Sequence, residues 1–143
     1  MFQKQKNIII AGCGRFGSSV AGKLSQLGHH VIIIDKFEEA FRRLPDTFSG
    51  YQVVGDAANA EFLERIDIKN CFLFIASTDS DNANCLISLI AKNIYKIEKV
   101  YAKLDDAEKQ VLIEDSEVDA IYPSLLSINE FQKLSGIDFK EEL

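Results

Sequence analysis

The sequence predicts an α/β fold in which helices cover both faces of a doubly wound parallel sheet. Apolar segments of strand length alternate with segments of helical periodicity along the whole chain, which is typical of strands joined by helical crossovers. The first of these segments, Asn7–Ala11, is a continuous apolar run, as expected of a strand buried on both faces. Three glycines follow this run at the point where a strand would turn into a helix.

The alternation continues through six predicted strands and six predicted helices. The strands are predicted at Asn7–Ala11, Val31–Asp35, Tyr51–Val54, Cys71–Ala76, Val100–Lys103 and Ala120–Tyr122. The helices are predicted from the glycines to a stop at Gly28, and at Glu38–Leu44, Asn59–Ile66, Ser80–Tyr95, Asp106–Glu114 and Leu125–Leu134. Six strands joined by right-handed crossovers fit the Rossmann-like order 3-2-1-4-5-6.

Two details of the helices are expected from the same patterns. Asp56 or Asn59 is available to cap the third helix. In the fourth helix, we expect the inner side to carry Leu86, Leu89, Ile90 and Ile94.

Composition narrows the class of protein. The chain has 143 residues, of which 47% are hydrophobic, and a net charge of −6, so we expect one globular domain with a full core. No basic cluster is present to contact phosphates along DNA or RNA, so we expect no nucleic-acid partner. No apolar run approaches the roughly 18–20 residues of a membrane helix, and the polar start MFQKQKN is not a signal peptide. We therefore expect a cytoplasmic protein.

The cysteines and histidines do not form a metal-site pattern. The three cysteines lack C-x-x-C spacing, and both histidines lie together at His29–His30, away from the cysteines in sequence. We expect reduced, buried thiols and no metal. The histidines precede the second strand, at the edge of the sheet opposite a ligand crevice, so we expect no catalytic role for them.

The glycine spacing G-x-G-x-x-G is the first candidate binding feature. Gly12 permits a tight turn, Gly14 lets a pyrophosphate approach the backbone, and Gly17 lets the helix pack closely on the strand. Free N–H groups at the start of the helix favour a bound anion. The alternative is a glycine turn that serves packing alone.

An acid at the end of the second strand favours the binding interpretation. Asp35 ends the run VIIID, where a carboxylate can accept hydrogen bonds from a ribose 2′-OH. The same charge would repel a 2′-phosphate, so NADP is disfavoured. Lys36, which follows Asp35, is included among the candidate binding residues.

Other candidates occupy the loop and the carboxyl ends of neighbouring strands. Arg15 is either a cation near the phosphates or a solvated surface arginine, and Cys13, beside it in the loop, is expected to fill a buried space rather than to react. Ser77, Thr78 and Asp79 follow the fourth strand and are expected to line the crevice, to cap the next helix, or both. Lys103 ends the fifth strand, where it could reach a phosphate or remain solvated.

Catalytic residues are not evident. An oxidoreductase needs a substrate domain and an acid or base beside the hydride, and the chain offers neither a Ser/His/Asp nor a Cys/His arrangement. We therefore expect a nucleotide sensor and not an enzyme.

Three segments together resemble a known family. GCGRFG, VVGDA and STDSDNAN, within a likeness that extends from about Asn7 to Leu134, are similar to the N-terminal regulator-of-potassium-conductance domain, also called TrkA-N or KTN, of Trk/Ktr-type potassium uptake regulators. The resemblance implies a domain that binds NAD(H) or ATP/ADP. It also implies assembly as a homodimer or octameric ring, and a membrane potassium transporter or channel subunit as partner.

The resemblance also implies residue roles. Phosphates would be bound by Gly12, Gly14, Arg15, Phe16 and Gly17. Asp35 would hold the ribose, Asp56 and Ala57 would lie by the adenine, and Ser77, Thr78 and Asp79 would lie near the second half of the ligand. Lys103 stands where many members have an arginine, and a lysine lacks the bidentate geometry.

These patterns lead to one expected function and two alternatives. We expect residues 1–143 to form a single domain without a second, C-terminal ligand-binding domain. Together with the resemblance, this implies a cytosolic, nucleotide-binding regulatory subunit of a potassium transport system. It would act at the inner face of the membrane and gate its membrane partner through a ligand-dependent conformational change. A last helix at about 124–135 carries more apolar groups than one stripe needs, so we expect dimer contacts there, the alternative being packing on its own sheet. The alternative functions are a fragment of an NAD-dependent oxidoreductase and a gating domain cut from a potassium channel.

Overall fold

The six predicted strands form one parallel sheet in the expected order. The computed structural model describes residues 6–139, so residues 1–5 and 140–143 lie outside the described part. The strands are β1 Asn7–Ala11, β2 His30–Asp35, β3 Tyr51–Val54, β4 Cys71–Ala76, β5 Lys99–Lys103 and β6 Asp119–Ile121. Their order is β3-β2-β1-β4-β5-β6, and every neighbouring pair is parallel. The predicted doubly wound fold is confirmed.

Helices and helical turns connect the strands. The α-helices are α1 Arg15–Gln26, α2 Ala60–Arg65, α3 Asp81–Leu89 and α4 Pro123–Ser135. Shorter 3₁₀ helices are formed by Glu38–Arg43, Ile68–Asn70 and Ala107–Leu112, and α3 continues into a π-helical turn at Ile90–Ile94. Two of the predicted helices are therefore 3₁₀ segments, which do not build a full α-helical stripe. Of the two proposed caps, Asn59 caps α2, since its side chain accepts a hydrogen bond from the Phe62 amide at 3.1 Å.

Two separate cores cover the two faces of the sheet. Alternate residues of β1 point to opposite faces, so that Ile9 belongs to one core while Ile8 and Ile10 belong to the other. The Ile9 core includes side chains of α2 and α3, and the Ile10 core includes side chains of α1 and of the 3₁₀ helix Glu38–Arg43. Burial on both faces explains why the central strands are continuous apolar runs.

The inner face of α3 differs from the expected one. Leu86 and Ile94 are exposed and Leu89 and Ile90 are half-buried, whereas the buried positions are Asn84, Cys85, Ile87 and Ser88, followed by Ala91 in the π turn. The expectation that Leu86 and Ile94 face inward was wrong. If the helix turned its leucines inward, it would bury an apolar face. Polar side chains are buried there instead, and they have hydrogen-bond partners that are described below.

The last helix contributes no buried residue to the described chain. Leu126, Phe131 and Leu134 are 63%, 55% and 77% exposed, so packing of α4 on its own sheet is ruled out. The helix nevertheless has regular ends, with Pro123 in its first turn and Gly136 at φ 73° after its last turn. None of the helices in the described part of the chain has the length and apolar character needed to span a membrane.

Burial on both faces of β1 can be tested with neighbouring isoleucines. Ile9→Ala and Ile10→Ala are each expected to lower the free energy of unfolding by about 2–5 kcal/mol, because each removes buried apolar atoms from a different core. Urea denaturation measures both. Leu27→Ala, at a side chain that is 77% exposed, is the control and should change stability by less than about 0.5 kcal/mol. A large loss at only one isoleucine would contradict the two-core arrangement.

Candidate nucleotide-binding site

A large cavity lies at the carboxyl ends of the strands. Its volume is about 850 Å³, and residues at or just after the ends of β1 to β5 contribute to its wall. The strand order reverses between β1 and β4, where ligands of open α/β sheets bind. The volume is within the range of about 300–1,000 Å³ that small-molecule sites occupy.

The glycine loop turns as the spacing predicts. Gly12 adopts φ 104°, a conformation that favours glycine, and a Cβ there would meet the backbone of Ser77 and the Thr78 nitrogen. A Cβ on Gly17 would overlap the carbonyl oxygen of Gly12, so this glycine allows α1 to pack on the turn. Gly14 has no atom within 4 Å of such a Cβ. The open position therefore lies on the side of the loop that lines the cavity.

The start of α1 has no capping side chain. Gly14 is its N-cap residue and makes no side-chain cap hydrogen bond, so the first-turn amides have no acceptor from a cap. Gly14 and Arg15 both line the cavity. Such an uncapped helix start, combined with the helix dipole, is suited to an anion.

The carboxylate of Asp35 is held in place by two backbone amides. Its Oδ2 accepts from the Cys13 amide at 2.8 Å and its Oδ1 from the Phe37 amide at 2.9 Å. Each carboxylate oxygen can accept a further hydrogen bond, and Asp35 lines the cavity. The acid therefore has a fixed orientation and retains acceptor capacity for a ribose hydroxyl.

Cys13 is buried beneath the loop. Burial raises the pKa of its thiol to about 11, with a further increase from Asp35 and a smaller opposing effect from Arg43. The thiol is therefore neutral near pH 7 and unsuited to nucleophilic chemistry. This agrees with the expectation that Cys13 fills space rather than reacts.

Cations from three segments line the cavity. The cavity is lined by three cations among the candidate residues, Arg15, Lys36 and Lys103. It is also lined by Arg42 and Arg43, which the sequence analysis did not single out. The Arg43 guanidinium donates to the Cys13 carbonyl at 3.3 Å and so reaches over the loop. The signal for this pair was its place in the 3₁₀ helix that follows β2, beside the candidate ribose acid.

The segment after β4 forms the opposite wall. Ser77 is buried, and its hydroxyl donates to the carbonyls of Ala11 at 3.2 Å and Gly12 at 3.3 Å. Ser80 caps α3, since its hydroxyl accepts from the Ala83 amide at 3.2 Å. Capping is therefore not the role of Ser77, whose hydroxyl fixes the end of β4 against β1.

Asn84 is the polar residue at this wall that sequence reasoning missed. It is fully buried, and its side-chain oxygen accepts from the Thr78 amide at 2.8 Å and the Thr78 hydroxyl at 2.7 Å. Its side-chain nitrogen donates to the carbonyls of Thr78 at 3.1 Å and Lys103 at 2.9 Å. The sequence analysis included Asn84 only as part of the segment STDSDNAN. The apolar pattern of the helix did not indicate that it faces inward.

The cavity brings together most of the candidate residues. The lining residues among them are Gly12, Cys13, Gly14, Arg15, Asp35, Lys36, Asp56, Ala57, Ser77, Thr78, Asp79 and Lys103. Phe16 and Gly17 do not line it: Phe16 is half-buried against the Ile10 core, and Gly17 packs against Gly12. The Asp56 carboxylate accepts from the Ala58 amide at 2.9 Å, which orders the turn after β3.

The histidines lie away from the cavity. His30 begins β2 and its ring hydrogen-bonds the Asn7 side chain, while its ring centroid is 5.3 Å from that of Tyr51. Neither His29 nor His30 contributes to the cavity wall. Within residues 6–139, no group of three or more His, Cys, Asp or Glu side chains is arranged to hold a metal ion.

The structure combines a doubly wound parallel sheet with a glycine loop, an uncapped helix start and an oriented acid at the crevice. These features define the dinucleotide-binding class of α/β domains. Within that class, the chain belongs to the TrkA-N domain family, whose sequence model matches residues 8–123. The family resemblance inferred from the glycine loop and the two later segments is thereby confirmed.

The chain is also similar in sequence to curated potassium uptake proteins. The chain is 35% identical over 103 residues to the Trk system potassium uptake protein TrkA of Streptomyces coelicolor, which covers 72% of this chain and 46% of that protein. It is 36% identical over 121 residues to a TrkA homolog of Pyrococcus abyssi, covering 84% of this chain and 53% of that protein. The chain thus spans about half the length of the curated relatives it matches.

Solved structures share the fold. The TrkA-N domain of the inner membrane protein ybaL from Escherichia coli has a TM-score of 0.80 at 16% identity, covering 93% of this chain and 98% of that one. The GsuK channel bound to NAD has a TM-score of 0.76 at 21% identity, covering 92% and 23%. The Shewanella denitrificans Kef CTD in its AMP-bound form has a TM-score of 0.68 at 25% identity, covering 92% and 81%.

The roles assigned to Gly14 and Gly17 predict different effects on the free energy of unfolding. Gly17→Ala is expected to lower the free energy of unfolding by about 1–3 kcal/mol, because its Cβ would displace the backbone of Gly12. Gly14→Ala is the matched control and should cost less than about 1 kcal/mol, since its Cβ enters open space. Urea denaturation compares the two. Equal losses would contradict the assignment of Gly17 to packing and of Gly14 to the open side of the loop.

Proposed function

We propose that this domain binds an adenine nucleotide, NAD(H) or ATP/ADP, and thereby regulates a potassium transport system. The observation that carries the proposal is the juxtaposition of an open, uncapped glycine loop and a fixed Asp35 carboxylate in one cavity. The loop suits phosphates because it offers backbone N–H groups and the positive end of a helix dipole. The carboxylate suits a ribose because it is already oriented by the Cys13 and Phe37 amides.

Because β1 lies between β2 and β4, the glycine loop after β1 separates the lining residues of β2 and β3 from those of β4 and β5, which gives the cavity two halves. On one side, Asp35, Asp56 and Ala57 would contact the adenosine part of the ligand. On the other, Thr78 and Lys103 would contact the remainder, either the second nucleotide of NAD or the terminal phosphates of ATP. Support for these ligands comes from structural neighbours whose bound molecules are NAD in GsuK and AMP in the Kef domain.

The cations around the loop would neutralise the phosphates. Arg15 lies at the start of α1, and Arg43 crosses the loop from the other side to the Cys13 carbonyl. Guanidinium groups bind phosphate oxygens in a bidentate manner, which makes both suited to a diphosphate. Lys103 would provide a point charge from the end of β5.

Regulation, not catalysis, is the output that we propose. The lining residues provide no histidine, and the Cys13 thiol is held neutral by its raised pKa. The relatives are named as potassium uptake proteins, which supports a membrane transporter or channel subunit as the partner at the cytoplasmic face. A bound ligand would shift the assembly between two states only by the difference in its affinity for them.

We also propose that the chain forms one TrkA-N domain that assembles as a homodimer, or as a larger ring, through α4. The helix is regular and ends at Gly136, but none of its residues is buried in the described chain. Its exposed apolar side chains include Leu126, Phe131 and Leu134, and Phe131 stacks on Phe139 with ring centroids 5.9 Å apart. A second copy of the same helix would cover these side chains, and apolar faces of this kind are typical of homodimer interfaces.

Calorimetric titration with NAD, NADH, ATP and ADP tests the binding proposal. At least one should bind the wild type, and Asp35→Ala is expected to weaken that ligand by about 1–3 kcal/mol because the ribose hydroxyl loses its acceptor. Gly14→Asp should abolish binding by placing bulk and negative charge where the phosphates would lie. Asp46→Ala, at an exposed acid outside the cavity, is the matched control and should leave affinity unchanged. Absence of binding by all four nucleotides would refute the proposal.

Light scattering coupled to size exclusion tests the assembly. The wild type is expected to elute as a dimer or larger species, and Phe131→Glu should shift it toward the monomer because a charge would be buried in the interface. Leu27→Glu places the same charge on an exposed apolar residue outside α4 and should leave the assembly intact. A monomeric wild type, or equal effects of both variants, would argue against α4 as the contact.

A further inference from the structure

Asn84 uses its whole hydrogen-bonding capacity to join two parts of the cavity wall. The primary amide has two donor hydrogens and an oxygen with two lone pairs. The four hydrogen bonds described above occupy these positions, three of them to Thr78 and one to the Lys103 carbonyl. Because a buried amide without partners is costly, its satisfaction in this way fixes both segments relative to each other.

Neighbouring residues of the same helical turn extend this link. The Asp81 carboxylate accepts from the amides of Asp105 at 2.8 Å and Asp106 at 2.9 Å. The Asn82 side chain accepts from the Lys109 ammonium group at 2.9 Å. The first turn of α3 therefore holds the segment that leaves β5 at several points, and Asn84 is the only one of the three that is buried.

The link reaches one half of the cavity and not the other. Its partners, Thr78 and Lys103, lie beyond the glycine loop from Asp35. Asp35 itself is held by the backbone of Cys13 and Phe37, and Asp56 by the backbone of Ala58. The two halves are thus positioned by different sets of interactions.

We propose that Asn84 is a positioning residue that fixes Thr78 and Lys103 for the part of the ligand beyond the glycine loop, and that it couples occupancy there to the segment after β5. The inference rests on the proposed nucleotide binding. It adds that affinity for a two-part ligand such as NAD depends on Asn84, while affinity for AMP, which would fill the Asp35 half, does not.

The test compares NAD and AMP titrations of the wild type and two variants. Asn84→Ala should weaken NAD binding by about tenfold or more, the range expected when buried hydrogen bonds are lost, and should change AMP binding by less than about threefold. Ser88→Ala is the control, because Ser88 is also a buried polar residue of α3, and its hydroxyl donates to the Cys85 carbonyl at 3.0 Å, away from the cavity. It should change neither affinity.

The outcomes separate this inference from the proposed function. A wild type that binds none of NAD, NADH, ATP, ADP and AMP would refute the proposed function and this inference with it. A wild type that binds ATP or ADP but neither NAD nor AMP would leave the proposed function standing and overturn this inference. A wild type that binds both, together with an Asn84→Ala variant in which NAD and AMP weaken by the same factor, would overturn the role of Asn84 alone. A merely structural role would lower stability without changing the ratio of the two affinities.

Amide hydrogen exchange on the wild type provides a test that does not depend on folding of the variant. Saturating NAD is expected to slow exchange at residues 78–80 and 103–106 together, because Asn84 joins these segments. Saturating AMP should slow exchange at neither. Protection by NAD at 78–80 without any change at 103–106 would overturn the proposed coupling.

Discussion

The close approach of the glycine loop to the end of β4 is the constraint on which the rest of the site depends. Gly12 can lie against the backbone of Ser77 only because it lacks a Cβ, and Gly17 lets α1 rest on the same turn. The Ser77 amide donates to the Ala11 carbonyl at 2.7 Å, and the Ser77 hydroxyl donates to the Ala11 and Gly12 carbonyls. These hydrogen bonds join the ends of β1 and β4. The strand order reverses there, so this contact sets the floor of the cavity.

The two sides of that floor are organised by different physical means. On the β2 side, backbone amides orient the Asp35 carboxylate, so its position follows from the turn itself. On the β5 side, the buried side-chain amide of Asn84 in α3 donates to the Lys103 carbonyl. A loop positioned by its own backbone tolerates changes elsewhere, whereas one positioned by a distant side chain depends on the rotation of the helix that carries it.

That difference decides how much of the structure was predictable. The strands, their order and the structural roles of Gly12 and Gly17 followed from local signals: continuous apolar runs, alternation with helices, and the spacing of the glycines. The rotation of α3 did not follow, because the apolar residues Leu86 and Ile94 indicated the wrong face. Asn84 faces inward because its hydrogen bonds to Thr78 and Lys103 offset the free-energy cost of burying its amide. Those partners are 6 and 19 residues away in the sequence. Periodicity carries no signal for such pairings, nor for the reach of Arg43 to a carbonyl 30 residues away.

The β5 side is also the side from which a signal would leave the cavity under the proposed function. Leu104, directly after Lys103, donates its amide to the Ile121 carbonyl at 2.9 Å, and Ile121 ends the strand that precedes α4. A ligand that reaches Thr78 and Lys103 would therefore act on a chain of hydrogen bonds leading toward the exposed helix. A ligand confined to the Asp35 half would contact none of these groups. A ligand has different affinities for two assembly states only if its contacts differ between those states. The part of the ligand that extends past the glycine loop would therefore determine its regulatory effect more than the adenosine part does.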